Sequence, residues 1–133
     1  MTAMSPHARI DLPFRVLLYS ERGEYVAHAI ELDLIGAGAS PNKALADLRN
    51  AVEAQITFAM QMNDPALLHF PAPADVAARW DEAFSARLHD LATGDVPLKF
   101  RCVATFMEIS ASEVEELRRL AGHSAFTPEL AHA

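Results

Sequence analysis

The chain of 133 residues has a single cysteine, Cys102, so it has no internal disulfide. A lone thiol is typical of proteins in a reducing compartment, and we expect a cytoplasmic protein. No apolar run approaches the roughly 18 residues that a membrane-spanning helix needs. Residues 1–9 lack an apolar core followed by a small-residue cleavage site, so we expect no secretory signal.

Basic residues are also scarce, with 11 Lys and Arg against 18 Asp and Glu and a formal net charge of −7. Nucleic-acid binding needs clustered positive charge that neutralises phosphates, so this balance disfavours it. The negative charge suits a basic protein partner or simple solubility equally well. Together with a hydrophobic fraction of 51%, the length predicts one globular domain over residues 1–133.

Motifs that carry catalysis are missing. None of the six histidines has a metal-ligand spacing to another His, Cys or carboxylate. Gly36-Ala37-Gly38 lacks the third glycine of a dinucleotide fingerprint and the Lys-Ser/Thr ending of a phosphate loop. Glu31 and Asp33 are close enough in sequence to hold a metal ion, although a polar bend between two strands explains such a pair more often. The sequence therefore predicts a protein that is not an enzyme and has no cofactor or metal.

Two further residues with reactive side chains have structural explanations. His28 lies in a predicted strand, where a histidine is more often a satisfied core or interface residue than a catalytic base. Cys102 has no motif around it, and we expect a small buried hydrophobe rather than a nucleophile.

The first third of the chain has the pattern of a β-meander. Phe14–Ser20 is rich in apolar and aromatic residues, and a polar turn containing Gly23 follows. Tyr25–Ile30 is the predicted returning strand, and Leu34–Ala37 is a short third strand. All three are predicted to be antiparallel.

Three helices are predicted after these strands. Ser40 is a suitable N-cap and Pro41 a suitable first residue for a helix over Pro41–Met62, whose apolar residues recur every three or four positions. Gly36 and Gly38 before it suit a turn or a close backbone approach.

A second helix is predicted over Ala74–Leu91, with the apolar stripe Val76, Trp80, Ala83, Phe84, Leu88 and Leu91. Trp80 and Phe84 are expected to be core anchors. Ser112-Glu113-Val114-Glu115 resembles a capping box, so a short third helix should run to Ala121 and be closed by Gly122.

A fourth strand is predicted over Leu98–Ile109. It becomes apolar on both faces toward its end, which is typical of a strand inside a sheet or in a subunit interface, so we expect a homo-oligomer. Residues 1–12 are predicted to be a flexible arm and residues 123–133 a flexible tail. The predicted fold class is α+β, with a small antiparallel sheet of three strands plus a fourth C-terminal strand, covered by two amphipathic helices.

Part of this pattern resembles a known family. Gly23-Glu24-Tyr25-Val26-Ala27-His28, Glu31-Leu32-Asp33-Leu34 and Gly38-Ala39-Ser40-Pro41-Asn42-Lys43-Ala44-Leu45 make Phe14 to about Ala54 similar to the HicB family of antitoxin-like proteins. Ser40 stands for the usual Thr, Ala39 for a common Asp and Lys43 for the usual Glu. The resemblance implies a partial RNase H-type fold, in which the last strand lies beside the first.

The resemblance also implies a function, namely binding and masking a small basic RNA-cleaving toxin. With the negative charge, it points to five candidate partner-binding acids: Glu24, Glu31, Asp33, Asp47 and Glu53. The operator-binding segment of the family is missing after Ile109, so we do not expect DNA binding. Two alternatives remain, a stand-alone homo-oligomeric scaffold without a toxin partner and an RNase H-class metal-dependent nuclease. The nuclease is disfavoured because Phe14–Tyr19 holds no carboxylate.

Overall fold

The computed structural model describes residues 12–94 and 102–124. This part contains β1 (Leu12–Glu21), β2 (Glu24–Ala29), β3 (Leu34–Gly38), α1 (Pro41–Met62), a 3₁₀ turn (Pro65–Leu68), α2 (Ala74–Thr93), β4 (Cys102–Ile109) and α3 (Ala111–Ser124). The four strands form one antiparallel sheet in the order β3-β2-β1-β4. The predicted α+β class is confirmed, and β4 lies beside β1.

The hairpin between β1 and β2 has the tightest turn of the sheet. Arg22 and Gly23 both adopt positive φ, at 54° and 81°. Two central residues with positive φ match the right-handed twist of the flanking strands. Glu21 then pairs with Glu24, and the register continues to Val16 opposite Ala29.

One face of the sheet packs against α1, and α3 packs against α1. Ser40 caps α1 through a hydrogen bond from the Lys43 N–H to Oγ, 3.2 Å long, as its sequence position predicts. The helix places every third or fourth residue on the sheet, and α3 adds Leu117 to the same cluster. The buried members of this first core are Phe14, Val16, Leu18, Ala27, Ala29, Leu32, Ala44, Leu48, Val52, Ile56, Met107, Ile109 and Leu117.

Contact between α1 and the sheet depends on Gly36. A Cβ atom at this position would lie 2.3 Å from the Leu48 nitrogen and 2.6 Å from the Ala44 carbonyl oxygen. Because both atoms belong to the helix backbone, neither can move aside as a side chain would. The expected close approach at this glycine is therefore present.

The other face of the sheet packs against α2, which lies over β1 and β4. Trp80 is 5% exposed, and its Nε1–H donates to the carbonyl oxygens of Val16 (3.1 Å) and Thr105 (3.2 Å). Phe84 stacks on the indole with ring centroids 4.9 Å apart. The expected anchoring role of Trp80 and Phe84 is confirmed.

Several predicted boundaries and faces differ from the structure. The predicted stripe of α2 is buried only in part: Trp80 with Val76, Ala83 and Phe84 packs in the core, whereas Leu88 is 51% and Leu91 74% exposed. Gly122 does not end α3, which continues to Ser124, and α3 is a third covering helix beside the two predicted. Leu12 belongs to β1 rather than to a flexible arm, and residue 123 of the predicted tail lies in α3. The rest of the arm and tail, and residues 98–101 of the predicted last strand, lie outside the described residues.

The glycine contact gives a direct test of this packing. We expect Gly36→Ala to lower the free energy of unfolding by about 1–3 kcal/mol, since the added methyl group must push α1 off the sheet. The measurement is urea unfolding followed by circular dichroism.

Gly122→Ala is the matched control. A Cβ atom there meets no atom within 4 Å, and the residue lies inside a helix. The same change should therefore raise the free energy of unfolding by about 0.5–1 kcal/mol. Equal effects of the two substitutions would contradict the close packing at Gly36.

Candidate functional site

The structure places three of the five candidate partner-binding acids, Asp33, Asp47 and Glu24, near β3. Asp33 immediately precedes β3, and Asp47 on α1 reaches the same strand, where its Oδ2 accepts a hydrogen bond from the Ala37 N–H at 3.0 Å. Glu24 begins β2 close to the far end of β3, since Tyr25 pairs with Gly38. Glu53 lies further along α1 and is not brought to the strand by any described contact.

Glu31 has a structural role, although its side chain is partly exposed. Its carboxylate accepts from the Arg15 backbone N–H at 2.7 Å and from Arg15 Nε at 2.6 Å. The Arg15 guanidinium in turn lies 5.5 Å from the centre of the Trp80 ring. This bidentate contact holds the turn between β2 and β3 against β1, so Glu31 is not a free carboxylate for a partner.

Asp33 is paired with His28, but part of its side chain stays exposed to solvent. Its Oδ1 lies 2.6 Å from His28 Nε2, and the Asp33 side chain is 44% exposed against 8% for His28. His28 is therefore a satisfied buried histidine, as expected from its strand position. Asp33 also adopts a φ of 51°, a conformation that Asp tolerates better than most residues.

An open strand edge lies between Asp33 and Asp47. Because the Ala37 N–H points to Asp47 and not to β2, the backbone groups of Ile35, two residues earlier, also point away from β2. The described part of the chain forms no hydrogen bond to them. The Ile35 side chain is 56% exposed. We call Asp33, Ile35, Ala37 and Asp47 the β3 edge.

The opposite edge of the sheet is β4, and its outward direction follows from β1. The Arg15 carbonyl accepts from the Ile30 N–H, so odd-numbered residues of β1 turn their backbone groups toward β2. Val16 then faces β4, where it pairs with Thr105. Ala104, next to Thr105, consequently directs its backbone groups to the outside.

Two arginines occupy outward carbonyl groups of β4. Arg87 of α2 donates to the Ala104 oxygen at 2.9 Å, and Arg49 of α1 donates to the Glu108 oxygen at 2.9 Å. Arg49 also pairs with Glu113 at 2.8 Å and so connects α1 with the start of α3. An incoming strand would have to displace these guanidinium groups, which protects the edge.

Beside β4 lies an apolar surface, which we call the α2–β4 patch: Phe84, Leu88, Leu91 and Phe106. Phe84 is half-buried, whereas Phe106 is 51% exposed although its ring contacts Trp80 edge-on at 5.2 Å. Exposed apolar side chains that lie next to one another are a common feature of protein interfaces.

The two described groups with shifted pKa values, Tyr19 and Cys102, are cross-strand neighbours in β1 and β4, and both lie near Arg79. Burial raises the pKa of the Cys102 thiol, and the nearby Arg79 only partly opposes the shift. Burial also raises the pKa of Tyr19, and Glu21 adds to the effect. Among residues 12–94 and 102–124 no three His, Cys, Asp or Glu side chains are grouped to hold a metal ion.

The comparisons with known proteins give no family. No protein-family model matches the chain, and neither a curated protein nor a solved structure is significantly similar to it. The HicB resemblance therefore depends on the motif residues of the first half alone and stays a prediction. The helices in the described residues also lack the combination of length and apolar character that spanning a membrane requires.

Sequence patterns did not indicate the arginines that decide which surfaces are available. Arg15 and Glu31 are 16 positions apart, and Arg49 is 59 positions from the Glu108 carbonyl oxygen. Periodicity identifies the apolar side of an element, and it contains no information on such distant polar pairs.

Glu31→Ala should lower the free energy of unfolding by about 1 kcal/mol, because the substitution removes two charge-assisted hydrogen bonds that are partly exposed to solvent. The matched control is Glu24→Ala, which removes an exposed carboxylate without a described hydrogen bond and should change stability little. Thermal unfolding of both variants is the measurement. Equal stability of the two variants would show that the Arg15 contact contributes nothing.

Cys102 should react slowly with iodoacetamide at neutral pH, since the raised thiol pKa leaves less of the reactive thiolate than in a free cysteine. The rate should increase as the pH rises toward the shifted pKa. The urea-unfolded chain is the control and should react faster at every pH below that value. A folded-state rate equal to the unfolded rate at neutral pH would contradict the effect of burial.

Proposed function

We propose that this chain is a non-enzymatic, HicB-like protein-binding module of the cytoplasm that masks a small basic RNA-cleaving toxin. The observation that supports this function is the β3 edge, where two part-exposed carboxylates flank an exposed isoleucine on an open strand. The choice of a small basic toxin as the partner comes from the HicB resemblance of the motif residues between Phe14 and about Ala54.

The physical basis of masking is charge. A protein that cleaves RNA needs a basic surface to contact phosphates. The net charge of −7 on this chain would attract that surface over a distance and orient the encounter. Covering the RNA-contacting surface stops cleavage, so no chemistry is required of this chain.

A second candidate is a stand-alone homo-oligomeric scaffold, which the α2–β4 patch favours. Leu88, Leu91 and Phe106 are each more than half exposed, and a second copy could bury them. We do not propose the nuclease alternative, since the described carboxylates are not grouped as a two-metal mechanism needs.

The tagged full-length chain, purified from its native host, should co-purify with a small basic protein. That protein should cleave RNA when isolated, and adding the pure chain should suppress the cleavage. Asp47→Lys should weaken the co-purification and so should added salt, because both reduce the attraction between the surfaces.

Glu82→Lys is the matched control, because it reverses an exposed acid on α2 and should leave binding unchanged. If the pure chain does not suppress the RNA cleavage of a basic protein that co-purifies with it, the masking function is rejected. A light-scattering mass of two or more copies, lost in Leu88→Glu, would then favour the scaffold.

A further inference from the structure

We propose that the β3 edge binds an extended segment of a basic partner as an added β-strand, and that Asp47 selects this segment by its charge. The inference rests on the proposed protein-binding function and specifies how the partner docks.

The two edges differ in the charge of the side chains that bind their outward backbone groups. A basic segment would meet the Arg87 and Arg49 guanidinium groups on β4, but the Asp47 carboxylate on β3. On β4, the arginines Arg87 and Arg49 occupy outward carbonyl oxygens. On β3, the backbone N–H and C=O of Ile35 point outward, and the only side chain bound to the outward backbone in the described residues is Asp47 at Ala37. A strand added to an open edge forms main-chain hydrogen bonds, which supply affinity for many sequences.

Asp47 controls this edge because it blocks a donor that an added strand would use. Its carboxylate accepts the Ala37 N–H and leaves that group closed to an incoming carbonyl oxygen. A Lys or Arg of the partner would offer the carboxylate a charged donor instead. Asp47 would then turn from Ala37 to the partner and free the N–H for the added strand. A neutral segment cannot make this exchange.

The alternation of side chains fixes the pattern of the segment. Ile35 projects onto the face of the sheet that α2 packs against, while Gly36 faces α1, which carries Asp47. A residue added opposite Ile35 shares its face and should be apolar. The next residue lies on the α1 face, near Asp47, and should be basic. The expected ligand therefore alternates apolar and basic residues.

Short peptides test this mode on the full-length chain. The basic probe is Thr-Lys-Val-Lys-Val-Lys-Thr, blocked at both ends, and the neutral probe has Thr in place of each Lys. A third probe keeps the Lys residues and replaces the first Val by Pro, which cannot complete a strand ladder. Binding is measured by NMR titration of backbone amides, with light scattering on the free chain.

The basic probe should bind the wild-type chain about fivefold more tightly than the neutral probe, with shifts at the Ile35 and Ala37 amides. Asp47→Ala should remove this preference by strengthening the binding of the neutral probe, because the Ala37 N–H is then free. Glu82→Ala, which removes an exposed carboxylate on α2, should behave like the wild type. Ile35→Arg, at an exposed position, should lower the affinity for the basic probe about fivefold, because the added positive charge repels the Lys residues of the probe.

Three results would overturn the proposal. The first is equal binding of the proline probe, which would show attraction by charge without strand formation. The second is a basic preference that survives in Asp47→Ala. The third is a dimer of the free chain whose Ile35 amide is already protected from hydrogen exchange, which would mean that a second copy occupies the edge. If the chain masks a toxin but fails these tests, the docking mode is wrong and the proposed function stands.

Discussion

The approach of α1 to the backbone of Gly36 is the constraint on which the rest of the fold depends. With no side chain at this position, the helix lies directly on the outer strand, and Ala44 and Leu48 become fully buried. This depth brings Asp47 within hydrogen-bonding distance of Ala37. A helix held further from the sheet by one methyl group would lose the contact between carboxylate and strand edge, so packing and the candidate site share one cause.

The two edges of the sheet are treated differently by the same chain. On the β4 edge, guanidinium groups from two helices satisfy two of the outward carbonyl oxygens, those of Ala104 and Glu108. The β3 edge is short, and one carboxylate covers one of its N–H groups. Edge strands of soluble proteins need such protection against uncontrolled pairing. The choice of residue also sets the sign of the charge that each edge presents to another molecule.

The sequence predicted local structure better than it predicted surfaces. The bounds of α1 were correct because Ser40 and Pro41 carry a local start signal, and the helix ends where Asn63 adopts a left-handed conformation with φ 50°. The stripe of α2 was also identified, but the pattern did not indicate that Leu88 and Leu91 are exposed. Periodicity reports which side of a helix is apolar, and it cannot report how far the neighbouring sheet extends beneath that side. Which acids are free was unpredictable for a related reason, since Glu31, in the turn after β2, pairs with Arg15 of β1.

The surroundings of Trp80 make the protein its own optical reporter. It is the only tryptophan of the chain, and it sits between α2 and the sheet with a guanidinium above its ring and a phenyl ring stacked on it. Its fluorescence therefore depends on whether α2 is seated, and it is separated by the sheet from the helix that lies on Gly36. Emission from this indole reports on α2 alone, whereas far-ultraviolet circular dichroism reports on all the helices. Comparing the two signals during unfolding can reveal whether α2 and α1 detach from the sheet in one step or one after the other.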